Sequence, residues 1–204
     1  MSETPTSAPH PIFTPTAISP ERLDDVTVGR EDIIGRVADR VRDAARSGAR
    51  RHTLLVGARG SGKTHTLAVA VHRALADPDV GGSVVVAWIP EDSLSIGSYR
   101  DLLVEAARSF GPSWATRAQS LRRAKDTAGL ERLLEEYAGD RALVLVVENL
   151  DRVFQGLRAE EAGALRGFVE TSGRVLVLAS TPLLFSGVTS RKEPWYGSFD
   201  VEHL

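Results

Sequence analysis

Cysteine is absent from the 204-residue chain, which excludes disulfide frameworks, thiolate zinc sites and cysteine nucleophiles. Positive charge is not in excess, because 25 lysine and arginine residues stand against 27 acidic ones, for a formal net charge of -2. The charge balance therefore gives no support for a nucleic-acid or anionic-membrane partner. No apolar run approaches the roughly 20 residues that span a bilayer, and the N-terminus lacks the basic start and apolar stretch of a secretory signal. We expect a cytoplasmic protein with no membrane partner.

Several catalytic and metal-binding patterns are also missing. The five histidines form no metal-ligand pattern, and His65 and His72, seven residues apart in a predicted helix, are better interpreted as packing or surface residues. There is no G-x-S-x-G motif of a hydrolase nucleophile. The three tryptophans are too scattered for an array that stacks nucleic-acid bases.

Proline is concentrated at the N-terminus, where residues 1–20 hold five of the ten prolines among serine and threonine. Too few apolar side chains lie there to offset the entropy lost on ordering, so we predict a flexible arm over residues 1–20. The chain as a whole is 42% hydrophobic and 25% charged, the balance of a soluble protein that buries a core. We predict one domain over residues 21–204.

That domain has the pattern of an α/β protein. After an amphipathic helix predicted over residues 30–46, short apolar runs of strand length alternate with helical patterns. The runs lack polar alternation, as in strands buried on both faces, which predicts a mostly parallel sheet between two helical layers. The predicted strands are 53–56, 84–89, 143–147, 175–178 and 199–201, and the predicted helices are 63–76, 99–110, 130–137 and 160–170. An inserted helix is expected in the arginine-rich stretch 111–128.

The most specific motif is a phosphate-binding loop, G-x-x-x-x-G-K-[ST]. Every fixed position is matched by Gly57-Ala58-Arg59-Gly60-Ser61-Gly62-Lys63-Thr64. The motif lies between a predicted strand and a predicted helix, where glycines let backbone N–H groups turn toward a phosphate and the helix N-terminus adds positive charge. Lys63 is expected to reach the β- and γ-phosphates, Thr64 to coordinate Mg²⁺, and His65 to belong to the same nucleotide-binding segment. The alternative is a chance glycine-rich turn before a helix.

A predicted strand ends in acids at Glu148 and Asp151. A phosphate loop needs such an element, because Mg²⁺ on the phosphates takes an outer-sphere carboxylate and the attacking water must be oriented. We predict Glu148 on the Mg²⁺ side and either Asp151 or Glu148 at the water. The alternative is that Asn149 and Asp151 only form the turn and cap the next helix.

Together these motifs resemble the ATPase core of AAA+ proteins of the origin-recognition-complex type, relatives of the STAND ATPases. Val28-Gly29-Arg30-Glu31 resembles the N-terminal box of that group, whose backbone lies against the adenine, which implies nucleotide contacts from Val28 and Gly29. Leu178-Ala179-Ser180-Thr181 resembles the sensor 1 segment, which implies that Ser180 helps to place the water.

The resemblance covers about residues 26–204 and implies a three-layer αβα core with a five-stranded sheet in the order 5-1-4-3-2. It also implies ATP and Mg²⁺ as ligands, and the lack of an Asn-Lys-x-Asp guanine signature favours ATP over GTP. Two features depart from the family pattern. Members usually end this strand in Asp-Glu or Asp-Asp, whereas the chain has Glu148-Asn149, and they carry a helical lid after the fifth strand, whereas the chain stops at Leu204. We therefore assign no lid and no sensor 2 arginine.

The resemblance further implies an arginine finger, donated by a neighbouring subunit to the charge that develops on the γ-phosphate. Arg191 occupies about that place, with Arg158 and Arg166 as alternatives. This predicts a homo-oligomer or a protein partner, while DNA follows only from analogy with the family.

We accordingly predict an ATP-binding module that hydrolyses ATP with Mg²⁺ and couples its nucleotide state to assembly or to a partner. One alternative is a nucleotide-binding switch or scaffold without turnover. Another is a DNA-associated initiator, loader or defence ATPase.

Overall fold

The computed structural model describes residues 29–91 and 96–204. The predicted arm and Val28 lie outside the described residues. The strands are β1 (Thr53–Val56), β2 (Val84–Ile89), β3 (Ala142–Val147), β4 (Val175–Thr181) and β5 (Asp200–His203). The helices are α1 (Glu31–Ser47), α2 (Lys63–Leu75), α3 (Pro78–Gly81), α4 (Tyr99–Arg108), α5 (Pro112–Arg123), α6 (Thr127–Ala138), α7 (Leu150–Gly156), α8 (Ala159–Thr171) and α9 (Ser186–Thr189).

The predicted elements are present, with borders that differ by up to three residues. β1 and β2 coincide with the predicted strands, and the expected inserted helix is α5, which begins at a proline suited to the first helical turn. α6 begins three residues earlier than predicted, because Asp126 caps it by accepting a 2.7 Å hydrogen bond from the Gly129 amide. β4 continues through the polar Ser180 and Thr181, which an apolar-run criterion misses.

The five strands form one sheet in the order β2-β3-β4-β1-β5, and every pairing is parallel. The predicted order 5-1-4-3-2 is therefore confirmed. Because parallel strands end at the same edge, the segments that follow β1, β2, β3 and β4 share one rim of the sheet. That rim holds most of the predicted site residues.

Helices cover both faces of this sheet. One core forms where α1, α2 and α3 pack on it, and the other lies between the sheet and α4 to α8. Every residue of β2 and β3 is buried, which explains why these strands read as uninterrupted apolar runs. The predicted three-layer αβα architecture is confirmed.

The edge strand β5 is held to α1 by ion pairs around Glu202. Its Oε2 lies 2.7 Å from Arg36 Nη2 and its Oε1 lies 3.0 Å from Arg40 Nη2. The Arg40 guanidinium is buried and also donates a 2.7 Å hydrogen bond to the Thr53 hydroxyl of β1. β5 thereby carries Leu204 to the end of β1, where the Leu204 amide donates to the Val56 carbonyl at 2.8 Å.

Across residues 29–91 and 96–204, none of the helices combines the length and the apolar character needed to cross a membrane.

Candidate functional site

The phosphate loop, residues 57–64, connects β1 to α2 at the rim of the sheet. Gly60 and Gly62 have φ angles of +77° and +85°, which favour glycine over residues with side chains. A Cβ on Gly57 would lie 2.7 Å from Ser61 Oγ and 3.0 Å from the Leu204 carbonyl oxygen, so glycine is required there for space. Ser61 Oγ is buried without a hydrogen-bond partner in the described part of the chain. A tight loop of glycines with an unsatisfied buried hydroxyl fits phosphate oxygens.

Lys63 begins α2 and reaches back across this loop. Its ammonium donates to the Gly57 carbonyl at 2.7 Å and to the Ala58 carbonyl at 3.0 Å. Burial lowers the pKa of Lys63, and among the charges that oppose this shift the carboxylate of Glu91 has the largest effect. An ammonium has three donors, so one remains for a phosphate oxygen.

Glu148, directly after β3, is buried and held by two donors. The Thr64 hydroxyl donates to its Oε2 at 2.9 Å, and the indole N–H of Trp88 donates to its Oε1 at 2.7 Å. Mg²⁺ bound to nucleotides keeps several waters and takes only one or two protein groups besides the phosphates. The Thr64–Glu148 pair beside the phosphate loop fits such an ion. The role of Trp88 has no signal in the sequence, where it is one more apolar residue of a buried strand.

Asp151 is not brought to this pair. Its Oδ1 lies 3.1 Å from the Thr181 hydroxyl, which also lies 2.8 Å from the Leu183 carbonyl oxygen. Side chains alternate along a strand, and Val146 packs toward α1 to α3 whereas Ala179 packs toward α4 to α8. The alternation therefore directs Glu148 and Thr181 toward opposite faces of the sheet. Asp151 lies on α7, and its charge has a larger effect on Lys63 than that of Glu148.

Ser180 is buried at the end of β4, and its hydroxyl accepts a 3.3 Å hydrogen bond from the Asn149 backbone amide. It is thus linked to the residue that follows Glu148. Asn149 itself has φ +49°, a left-handed conformation that asparagine tolerates better than most residues, and it caps α7.

Glu91 joins the site although the sequence analysis did not single it out. It lies two residues after β2 and forms an ion pair with Arg59 of the phosphate loop. The hydrogen bond from Arg59, and then one from the Asn149 side chain, lower the pKa of Glu91 against the opposing effect of burial. An acid just past a buried parallel strand is the same signal that pointed to Glu148. Applied to β2, it would have found Glu91.

The segment before α1 approaches the phosphate loop through Arg30. A Cβ on Gly62 would lie 2.8 Å from Arg30 Nη1, and this nitrogen is 3.4 Å from the Thr66 hydroxyl. Gly29 is exposed, with φ +78°. His65 is half-buried on the first turn of α2.

The three candidate finger arginines differ in their partners. Arg158 Nε pairs with Glu161 at 3.2 Å, and Arg166 Nε pairs with Glu170 at 2.6 Å. Arg191 is exposed between α9 and β5, and it forms no ion pair with any residue that the structure describes.

A profile of the AAA ATPase domain matches residues 26–178, which include the phosphate loop, Glu148 and Leu178. The chain belongs to this AAA ATPase family. It is accordingly an ATP-binding module. Members of this family are nucleoside-triphosphate hydrolases and typically use Mg²⁺. A search of curated proteins finds no match.

Solved structures of AAA+ proteins share the fold of this ATPase domain. The Aeropyrum pernix ORC1 protein in complex with DNA superposes with a TM-score of 0.64 at 18% identity, over 91% of this chain and 47% of that one. The Aeropyrum pernix ORC2 protein, in ADPNP–ADP complexes, superposes with a TM-score of 0.61 at 15% identity, over 89% of this chain and 50% of that one. Drosophila ORC bound to DNA superposes with a TM-score of 0.58 at 15% identity, over 100% of this chain and 51% of that one. The chain thus spans about half the length of these structures, and the resemblance to the origin-recognition-complex type is confirmed for the fold.

Proposed function

We propose that this AAA ATPase domain binds ATP with Mg²⁺ at the phosphate loop, hydrolyses it, and couples the nucleotide state to contacts with a second subunit. The observation that carries the proposal is the arrangement of Lys63, Thr64 and Glu148. A buried lysine lies across a glycine loop, and the next residue's hydroxyl is hydrogen-bonded at 2.9 Å to a buried carboxylate.

Binding would use the backbone and three side chains. The loop N–H groups and the Ser61 hydroxyl suit the phosphate oxygens, and the Lys63 ammonium supplies a fixed positive charge. Thr64 would coordinate Mg²⁺ directly, and Glu148 would accept hydrogen bonds from its water ligands. The ion would neutralise charge on the β- and γ-phosphates.

Hydrolysis would use the same rim of the sheet. Ser180 would help to orient the attacking water, and the support for this role is the hydrogen bond that its hydroxyl accepts from the Asn149 amide. Asp151 is bound to Thr181, so we assign it to the positioning of α7 in preference to the water. Arg191 is the finger that we propose a neighbouring subunit would donate, because it is exposed and both alternatives have local partners.

A nucleotide-binding switch without turnover is a second candidate, and Asn149 is the observation that favours it. Its side chain follows Glu148 at the position where the family usually has an acid. An amide does not accept a proton at neutral pH. The two candidates agree on ATP binding and differ only in turnover.

The test is steady-state ATP turnover with Mg²⁺ over a range of protein concentrations, with ATP affinity measured in parallel. Lys63→Ala is the control for binding at the phosphate loop. We expect turnover above that of Lys63→Ala and a specific activity that rises with protein concentration. Tight ATP binding with turnover no greater than that of Lys63→Ala would refute hydrolysis and leave the switch.

A further inference from the structure

The ends of β2 and β3 bring one acid and one amide to the same level of the sheet. Ile89 of β2 is in register with Val147 of β3, and the Glu148 amide continues the ladder by donating to the Ile89 carbonyl at 3.0 Å. Glu91 and Asn149 each lie two residues beyond these strand ends. The Asn149 side chain is close enough to the Glu91 carboxylate to lower the pKa of Glu91 through a hydrogen-bonding interaction.

Glu91 also faces the phosphate loop. Its carboxylate pairs with Arg59 of that loop, and its electrostatic effect on Lys63 exceeds those of Asp151 and Glu148. Its side chain is 40% exposed, so water and a substrate can reach it.

Glu148 and Asp151, the other two candidate carboxylates of the rim, are less exposed than Glu91. Both oxygens of Glu148 accept buried hydrogen bonds, from Thr64 and Trp88. Asp151 is half-buried and accepts a 3.1 Å hydrogen bond from the Thr181 hydroxyl. Of these three carboxylates, Glu91 is the most exposed and has the largest electrostatic effect on Lys63.

We propose that Glu91 orients the attacking water and accepts its proton, and that Asn149 and Arg59 are positioning residues for this carboxylate. The inference rests on the proposed function, that is, on hydrolysis of ATP. In the step, the water oxygen forms a bond to the γ-phosphorus, and the bond from that phosphorus to the β–γ bridging oxygen breaks. Its electron pair leaves with ADP. One water proton passes to Glu91, which returns it to solvent.

The first test is Glu91→Gln, which keeps the size and hydrogen bonding of the side chain but not its basicity. We expect kcat to fall by about 100-fold or more, the usual contribution of a general base, while ATP affinity changes by less than about threefold. Glu136→Gln is the matched control, because Glu136 is also an exposed acid in an ion pair, with Arg117 at 2.6 Å, but lies on α6. It is expected to hydrolyse ATP like the wild type.

The second test exchanges the two partners. In the double variant Glu91→Gln/Asn149→Glu, the carboxylate follows β3 and the amide follows β2, so the pair is kept with its members reversed. We expect this variant to recover kcat to at least about tenfold above Glu91→Gln, since it restores a base at the same contact.

The third test needs no turnover. The carboxyl of Glu91 is titrated by NMR in the protein without nucleotide and assigned by its loss in Glu91→Gln. Arg59, Asn149 and Arg152 all lower the pKa of Glu91, with Arg59 first. Arg59→Gln should therefore raise the pKa of Glu91, whereas Arg117→Gln should not move it.

The outcomes separate the two proposals. Wild-type kcat in Glu91→Gln would overturn the role of Glu91 while hydrolysis stands. A loss of ATP affinity as large as the loss of kcat would also overturn it, because Glu91 would then only shape the phosphate loop. Wild-type turnover no greater than that of Lys63→Ala would refute hydrolysis itself, and the role of Glu91 with it.

Discussion

At the scale of single residues, the orientation of Glu148 depends on an indole that the phosphate-loop motif does not include. Trp88→Phe removes the 2.7 Å bond to Oε1 and leaves a buried carboxylate oxygen without that donor. Such a loss costs about 1 to 3 kcal/mol of unfolding free energy. Because Glu148 would also turn away from Thr64, we expect a higher Mg²⁺ concentration for half-maximal ATP binding, measured by titration at fixed ATP.

The matched control for Trp88→Phe is Trp195→Phe. Trp195 is also buried and donates its indole N–H to the Ala162 carbonyl at 2.9 Å, but it packs between α7 and Phe199. The Trp195→Phe variant should lose stability but bind ATP at the same Mg²⁺ concentration as the wild type. An equal shift of the Mg²⁺ titration in both variants would contradict a specific role for Trp88.

A second residue-scale prediction concerns His52, which is buried and whose Nδ1 accepts a 3.1 Å hydrogen bond from the Val177 amide. Burial, and then the charge of Arg50, lower the pKa of His52 from 6.5 to about 4. The unfolded chain therefore binds the proton more readily, so stability falls as the pH drops from about 6.5 to about 4, by about 3 kcal/mol at the lower limit.

This pH dependence is tested by urea unfolding of the wild type and of His52→Gln at several pH values. The glutamine side chain retains an acceptor and has no titrating group. The difference in unfolding free energy between the two proteins should therefore shrink from neutral pH to pH 4. If the difference in unfolding free energy stayed constant with pH, folding would not lower the pKa of His52.

At the scale of elements, β5 is a short edge strand whose position depends on the ion pairs with α1. Arg40 is 7% exposed and Arg36 is 50% exposed, although both pair with Glu202. Arg40→Gln leaves buried partners unsatisfied and should cost about 2 kcal/mol, whereas Arg36→Gln should cost clearly less, because solvent screens its exposed guanidinium. Urea unfolding of both variants measures the difference.

This edge also supports the nucleotide site, because Leu204 follows β5 and lies against Gly57. Arg40→Gln should therefore weaken ATP binding more than Arg36→Gln does. If Arg40→Gln and Arg36→Gln lost the same stability and the same ATP affinity, the burial of the Arg40 guanidinium would not be what anchors β5.

At the scale of the whole molecule, we propose that a neighbouring subunit completes the site by donating Arg191. Arg191→Ala should lower turnover by about 100-fold or more, as loss of an arginine finger does, without loss of ATP affinity. Mixing Arg191→Ala with Lys63→Ala should restore part of the activity, because one subunit then supplies the phosphate loop and its neighbour the arginine.

Activity measured across mixing ratios tests this arrangement, with Arg117→Ala as a control on the exposed surface of α5. Activity that never exceeds the sum of the two separate variants would contradict a shared site. In that case Arg191 would have no role in a neighbour's hydrolysis.

The positions of the strands and the existence of the phosphate loop follow from the sequence, because both depend on local patterns. β1 and β2 match their predicted ranges since strands buried on both faces are continuous apolar runs. The loop motif is a contiguous string, so its glycines and Lys63 are recognised without tertiary information. The order of the sheet came from the resemblance to a family and not from any local pattern.

Which polar groups meet was decided by the tertiary structure. Trp88, Glu148 and Thr64 are remote in the chain, and they meet because β2, β3 and the phosphate loop end at one rim. Asp151 is only three residues from Glu148, yet it accepts a hydrogen bond from Thr181 of β4 and not from Thr64 or Trp88. Long-range strand pairing sets the register and the facing of side chains, and neither quantity is encoded within a single segment.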